Sequence, residues 1–140
     1  MSMTMTYEEQ RILGSLAARS AVLDLAVRQH RAFEAGDLET WIGTFVVSGV
    51  LELPGADPLV GHASLGRWFA TATRGRRVLV ADPVVEIDGV HGTQRSTLVI
   101  VDLGAPGRAV RGLTDTEDEL IYERGRWYFA RRRLHPLSPD

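Results

Sequence analysis

The first part of this 140-residue chain carries one apolar period and the remainder another, and that change limits the fold more than any motif does. Over residues 7–35, "YEEQRILGSLAARSAVLDLAVRQHRAFEA", Leu16, Leu23 and Val27, and Val22, Leu25, Ala26 and Phe33, recur at spacings of three and four, which predicts one long helix. Gly36 is its expected stop, because glycine readily adopts the left-handed conformation that closes a helix. Asp37 follows as N-cap of a second, short helix, "LETWIGTF", its carboxylate accepting from the free amides of the first turn. Beyond Phe45 the run "VVSGVLEL" (46–53) and the turn "PGADP" lead to a third helix, "HASLGRWFATAT" (62–73). Four β-runs then follow at 77–87, 93–102, 109–122 and 126–134, broken by Asp88-Gly89, by the loop "LGAPG" (103–107) and by "ERG" (123–125). Helices first and hairpins last is the order of an α+β fold, with an antiparallel sheet curling round the helices.

With 44% hydrophobic residues, the chain can bury one core, so a single domain over 1–140 is expected, its core at about 8–135. The absence of cysteine excludes thiolate chemistry, and the four histidines (His30, His62, His91, His135) have no ligand spacing, so no metal is expected. Nor is any other cofactor, since no phosphate-cradling glycine loop or Gly-x-Ser-x-Gly elbow is present. A net charge of −2 leaves no basic field for nucleic acid, and the run Arg131-Arg132-Arg133 is answered by acids at 115–123. No apolar run is long enough for a membrane, and "MSMTMTYEEQ" lacks the pattern of a signal peptide, so a cytoplasmic location is expected.

The stretch "TDTEDEL" (114–120) places four carboxylates in a β-run. Period-two alternation puts Asp115, Glu117 and Glu119 on one face and Asp118 on the other, with Thr116 and Leu120. A three-residue turn at 123–125 would pair Tyr122 with Arg126, set Glu117 opposite Arg131, Asp115 opposite Arg133 and Asp118 opposite Ala130, and leave Arg132 diagonal to Asp118. A two-residue turn would set Asp118 opposite Arg131 instead. In either register Asp118 stands apart on the drier face, where a carboxylate needs a partner or a raised pKa; that makes it either half of a structural ion pair or an acid–base group.

The order "LAARSAVLDLAVRQHRAFEAGDLETW", "GHASLGRWF" (Gly61-x-x-x-Leu65), "VVEIDG" and "YERGRWYFARRRL" resembles the SnoaL-like branch of the nuclear transport factor 2-like superfamily over about residues 10–135. The resemblance implies a cone-shaped α+β barrel, a curved mixed or antiparallel sheet wrapped around three N-terminal helices, with an apolar pocket and usually a homodimer. Its members include ketosteroid isomerase, scytalone dehydratase, limonene epoxide hydrolase and polyketide cyclases, besides non-catalytic adaptors. Position by position, the first-helix tyrosine of many relatives falls at Gln29 and the dehydratases' aspartate at Glu34. The isomerase base falls at Leu53, and the strand histidine at Val78, after Arg77. Asp118, nine residues before Trp127, and Arg132, five after it, match the family's acid and arginine.

The expected catalytic set is therefore Asp118, Arg132, Gln29, His30 and Glu34. His30 and Glu34, one helical turn apart, either form an exposed pair or face the pocket, where His30 would replace the missing strand histidine. Phe33, Trp41, Phe45, Trp68, Thr116 and Tyr128 are expected at the substrate pocket, and Glu52, His62 and His91 in water. The leading reading is a cofactor-independent isomerase, cyclase or dehydratase that moves a proton, through Asp118, on a small apolar oxygenated molecule of steroid or polyketide type. Its rivals are a ligand-binding or assembly domain without chemistry, and an epoxide hydrolase.

Overall fold

A computed structural model describes residues 4–72, 74–104 and 109–137. Helix α1 spans Tyr7–Ala35 and starts on a reciprocal cap: the Thr6 hydroxyl accepts from the Glu9 N–H while the Glu9 carboxylate accepts from the Thr6 N–H. Gly36, at φ 70°, closes it by returning its N–H to Ala32 and Phe33. The buried stripe is Val22, Leu25, Ala26, Gln29 and Ala32. Leu16 and Val27, expected with the core, are exposed because they belong to the adjacent row of the helix surface, and only one row meets the sheet. Helix α2 (Leu38–Ile42) is capped by Asp37 and stops short of Phe45, which already pairs with Phe129 in the sheet.

The remaining elements are β1 (Phe45–Glu52), β2 (Leu59–Val60), α3 (Gly61–Thr71), β3 (Arg76–Asp88), β4 (His91–Asp102), β5 (Val110–Glu123) and β6 (Arg126–Pro136). Residues 105–107 of the loop expected at 103–107 and residue 108 after it lie outside the described set, as does Thr73 at the expected end of the third helix. Among the described residues the six strands form one sheet in the order β2-β1-β6-β5-β4-β3. Strands β3 to β6 form the expected antiparallel meander, but β1 runs parallel to β6, so the sheet is mixed. It does not close on itself: β2 and β3 are its edges. Pro83 sits in edge strand β3, beside a bulge in which Asp82 takes φ 49°, a place where a missing N–H costs the ladder little. Helix α1 lies across β3 and β6, and α3 packs on β1. No described helix is long and apolar enough to cross a membrane.

The turn joining β5 to β6 corrects both expected registers. Glu123 pairs with Arg126, so the turn is the two-residue Arg124-Gly125, with φ 50° and 79°. Tyr122, Ile121 and Leu120 then face Trp127, Tyr128 and Phe129, after which one residue of β6, Ala130, is left unmatched and Glu119 faces Arg131. That bulge shifts the ladder by one, setting Asp118 directly opposite Arg132 on the same face and Glu117 opposite Arg133. Left-handed backbone costs a non-glycine residue roughly 1–2 kcal/mol, less for asparagine, so Arg124→Asn is expected to stabilise the protein by up to roughly 1 kcal/mol in urea unfolding.

The inner face of the sheet and the helices bury Val22, Leu25, Phe45, Leu65, Leu120 and Phe129 in one cluster. Trp41, 3% exposed, is the hub of an aromatic wall, its ring 5.0 Å from Phe69, 5.3 Å from Phe45 and 5.6 Å from Trp68. Such pairs add roughly 0.5–1.5 kcal/mol each beyond their buried area, which makes this wall a rigid side for whatever lies against it.

Candidate functional site

One cavity, of about 450 Å³, opens between α1, α2, α3 and the inner face of the sheet, a size suited to a ring-containing small molecule. Phe33, Trp41 and Trp68 form one wall and Leu51, Leu98 and Leu134 the other. Gln29, His30 and Arg132 supply the polar groups deep inside, where Gln29 is 3% and Arg132 1% exposed. Thr71 and Arg76, both exposed, mark the mouth.

A buried guanidinium must have partners, and Arg132 takes its hydrogen bonds from β5 and α1. Its Nε donates to Asp118 Oδ1 at 2.8 Å and its Nη2 to Oδ2 at 3.2 Å, a two-point pairing across the β5–β6 ladder. Its Nη1 donates to the Gln29 carbonyl oxygen and, at 3.2 Å, to His30 Nε2, both one turn of α1 or less from each other. Arginine has only donors, so His30 Nε2 accepts and the imidazole proton lies on Nδ1. The guanidinium also lies 4.4 Å over the Phe129 ring. Four of its five N–H groups are thus committed, leaving one Nη2–H.

Outward from this pair the bonds continue. Gln29 Nε2 donates to Thr44 Oγ1 at 2.7 Å, which donates to the Trp41 carbonyl at 2.6 Å. Thr116 donates to Asp118 Oδ2 at 3.4 Å and shares a 2.7 Å bond with Ser96. Burial pushes the Asp118 carboxyl above the usual range, while Arg132 and Thr116 pull it back. Desolvation, and then the charge of Arg132, hold the His30 imidazole down at about 3, so it is neutral throughout the physiological range.

Several expected placements need correction. The Asp118 side chain is inward and 0% exposed, but both its oxygens lie behind Arg132, and the residue does not line the cavity. Glu34 does not pair with His30; half-buried, it accepts from the Val78 N–H at 3.0 Å, tying α1 to edge strand β3. Phe45 and Thr116 do not line the cavity: Phe45 packs in the core against Trp41, its ring 5.3 Å away, and Thr116 is held in the polar network by Ser96 and Asp118. Tyr128, paired with Ile121, is on the outer face of the sheet, since the bulge falls after it and leaves Phe129 with Leu120 inside. His62 is half-buried rather than free in water, its Nε2 3.0 Å from the Phe45 carbonyl. His135 lies near the end of β6. On the outer face Glu52 joins Arg133 at 2.7 Å and Arg131 at 3.6 Å, while Glu117 lies 3.7 Å from Arg133, in place of the pairs expected from the three-residue turn.

The residues that sequence reasoning missed are mostly apolar, and two were signalled. Leu53 and Val78, the positions where the resemblance expects a base and a histidine, both line the cavity. Thr44, the anchor of Gln29, carried no signal. Gln94, opposite Asp118 and 0% exposed, has no protein partner for its amide among the described residues; alternation along "TQRSTLVI" would have placed it inward.

No curated protein matches the chain by sequence. Among solved structures, a protein of unknown function from Mycobacterium tuberculosis is 26% identical, with a TM-score of 0.82, over 98% of this chain and 79% of that one. A nuclear transport factor 2-like protein with a cystatin-like fold from Novosphingobium aromaticivorans superposes at a TM-score of 0.88 and 17% identity, covering 99% of this chain and 94% of that one. Another protein from that organism, carrying the provisional name scytalone dehydratase, matches at 0.75 and 16% identity, over 88% and 86% of the two chains. The last two likenesses speak for the fold alone. The SnoaL-like domain family matches residues 14–133, which is nearly the whole of the structure just described, and the chain belongs to that family.

Proposed function

We propose that the protein binds a small, largely apolar molecule with a carbonyl oxygen in the 450 Å³ cavity and promotes proton relocation on it, as a cofactor-independent isomerase, cyclase or dehydratase. The observation that carries this reading is that Arg132 and His30 both line the cavity among apolar walls, while one Arg132 Nη2–H and the His30 Nδ1–H have no protein acceptor among the described residues. Donors held in place in a dry site act on charge that develops on a substrate oxygen, and are worth roughly 10²–10³ in rate. A neutral imidazole is suited to that role, because it donates without adding a second buried cation. Asp118 is here a positioning residue that fixes the plane of the guanidinium; a solvent hydroxide entering with the substrate at the mouth takes the proton from carbon as water, and a second water returns a proton to the rearranged product and regenerates hydroxide. An epoxide hydrolase would need the Asp118 oxygens to hold water, and both are bound to Arg132. The expected homodimer would cover Leu79, Val84 and Leu113, exposed on the outer face of the sheet.

A second reading, binding without chemistry, is favoured by one observation: no described carboxylate lines the cavity. Both readings are tested with 2-acetylnaphthalene, an apolar methyl ketone. Calorimetry is expected to show saturable binding, and proton NMR in deuterium oxide is expected to show deuterium entering the methyl group faster than in buffer. His30→Phe should lower the exchange rate by roughly 10²-fold with a smaller effect on affinity. Binding without exchange supports the second reading, and no binding removes both.

A further inference from the structure

The cavity has cations at both ends and no described anion along its lining. At the inner end, Arg132 is matched by Asp118 at 2.8 Å. At the mouth, Arg76 lines the cavity, is exposed, and has no ion-pair partner among the described residues. Two acids border it and both are turned elsewhere. Asp102, directly across from Arg76 in the β3–β4 ladder, lies 3.7 Å from Arg111 and accepts from the Gly104 N–H. Glu34 accepts from the Val78 N–H. Nor does neighbouring Arg74 compete for a ligand: it stacks 4.1 Å over the Phe69 ring and donates to the carbonyls of Phe33 and Phe69, pinning the ends of α1 and α3 at the rim.

A cation standing over an opening with apolar walls focuses its field into that opening. We infer that the ligand is an organic anion, an apolar ring body that presents an oxygen to Arg132 and His30 and a carboxylate to Arg76. This rests on the binding reading above and narrows it: a neutral steroid or polyketide ketone would leave the Arg76 charge unanswered, whereas a keto acid of the same body would meet all three groups. The charge also serves capture, since a steered anion associates faster at low salt.

The test compares 2-acetylnaphthalene with 6-acetyl-2-naphthoate, which adds a carboxylate at the far end of the same ring system. In calorimetry at low salt the acid is expected to bind about fivefold to tenfold tighter than the ketone, the range of a partly screened ion pair. That preference should shrink in about 0.5 M sodium chloride. Arg76→Gln should bring the acid-to-ketone ratio close to one, and Arg76→Lys should keep most of it; Arg76 is exposed on an edge strand, so neither change threatens folding. If the ketone binds and the acid binds no tighter, or the preference survives Arg76→Gln, the anionic ligand is wrong while the cavity reading stands. If neither compound binds, both fall together.

Discussion

Asp118→Leu is expected to lower the unfolding free energy by roughly 3–5 kcal/mol, and Arg132→Met by a similar amount, because each leaves the other's charge buried and unpaired. Both side chains are essentially sealed, 0% and 1% exposed, and the pair is joined at two points. Against a total stability of about 5–15 kcal/mol, either single change approaches the limit of folding. The double variant, Asp118→Leu with Arg132→Met, is expected to recover most of the loss, since it removes both charges and keeps the volume. Recovery stops roughly 1–3 kcal/mol short, as the Gln29 side-chain oxygen and His30 Nε2 both lose their donor. Urea unfolding of the three variants gives the coupling energy directly. Additive losses would mean that the two groups do not answer one another, and the account of Arg132 as a guanidinium oriented by Asp118 would fail with it.

That pair also shows how far the sequence could be read. Alternation along "TDTEDEL" singles out Asp118 because a period of two is a local property of any strand. Arg132 as its partner depends on a turn and a bulge acting together: the two-residue turn alone would deliver Arg131, and only the unmatched Ala130 brings Arg132 across. Nothing in "RGRWYFARRRL" marks Ala130 as the extra residue, so parity could not be read from that stretch. Helix ends were legible for a similar local reason, since Gly36 and Asp37 act within one turn of chain. The parallel β1–β6 pairing was not, because it joins the first strand of the chain to the last and depends on where the intervening strands have already gone. The cavity lay between these cases. Its aromatic wall of Phe33, Trp41 and Trp68 was named from residue type, yet the same types put Phe45 in the core and Tyr128 on the outer face. What separates them is the side of the chain that each presents, a tertiary fact. His30 stayed ambiguous for the same reason: a rotation of α1 by one row would have left it in water beside Glu34.

His30, half-buried beside Arg132, matters on the acid side of neutrality. Its imidazole is held at about 3 in the folded protein against an ordinary value of 6.5, by desolvation first and by the charge of Arg132 second. Below pH 6.5 the unfolded chain therefore takes up a proton that the folded chain refuses, so stability from this group is complete above pH 6.5 and drains away as the pH falls toward 3. At about 1.4 kcal/mol per pH unit, the loss reaches roughly 2 kcal/mol by pH 5. Asp118 acts in the opposite sense: its carboxyl, pushed up by burial, binds a proton in the fold before it would in the unfolded chain, and so offsets part of the loss at lower pH. Comparison with His30→Phe separates the two, since phenylalanine fills the site without titrating and leaves Asp118 paired with Arg132. The difference in unfolding free energy between the two proteins, measured in urea, is expected to be constant above pH 7 and to move by roughly 2 kcal/mol in favour of the variant by pH 5. Parallel curves across that range would place the imidazole in water, away from Arg132, and would remove one of the two donors on which the proposed chemistry depends.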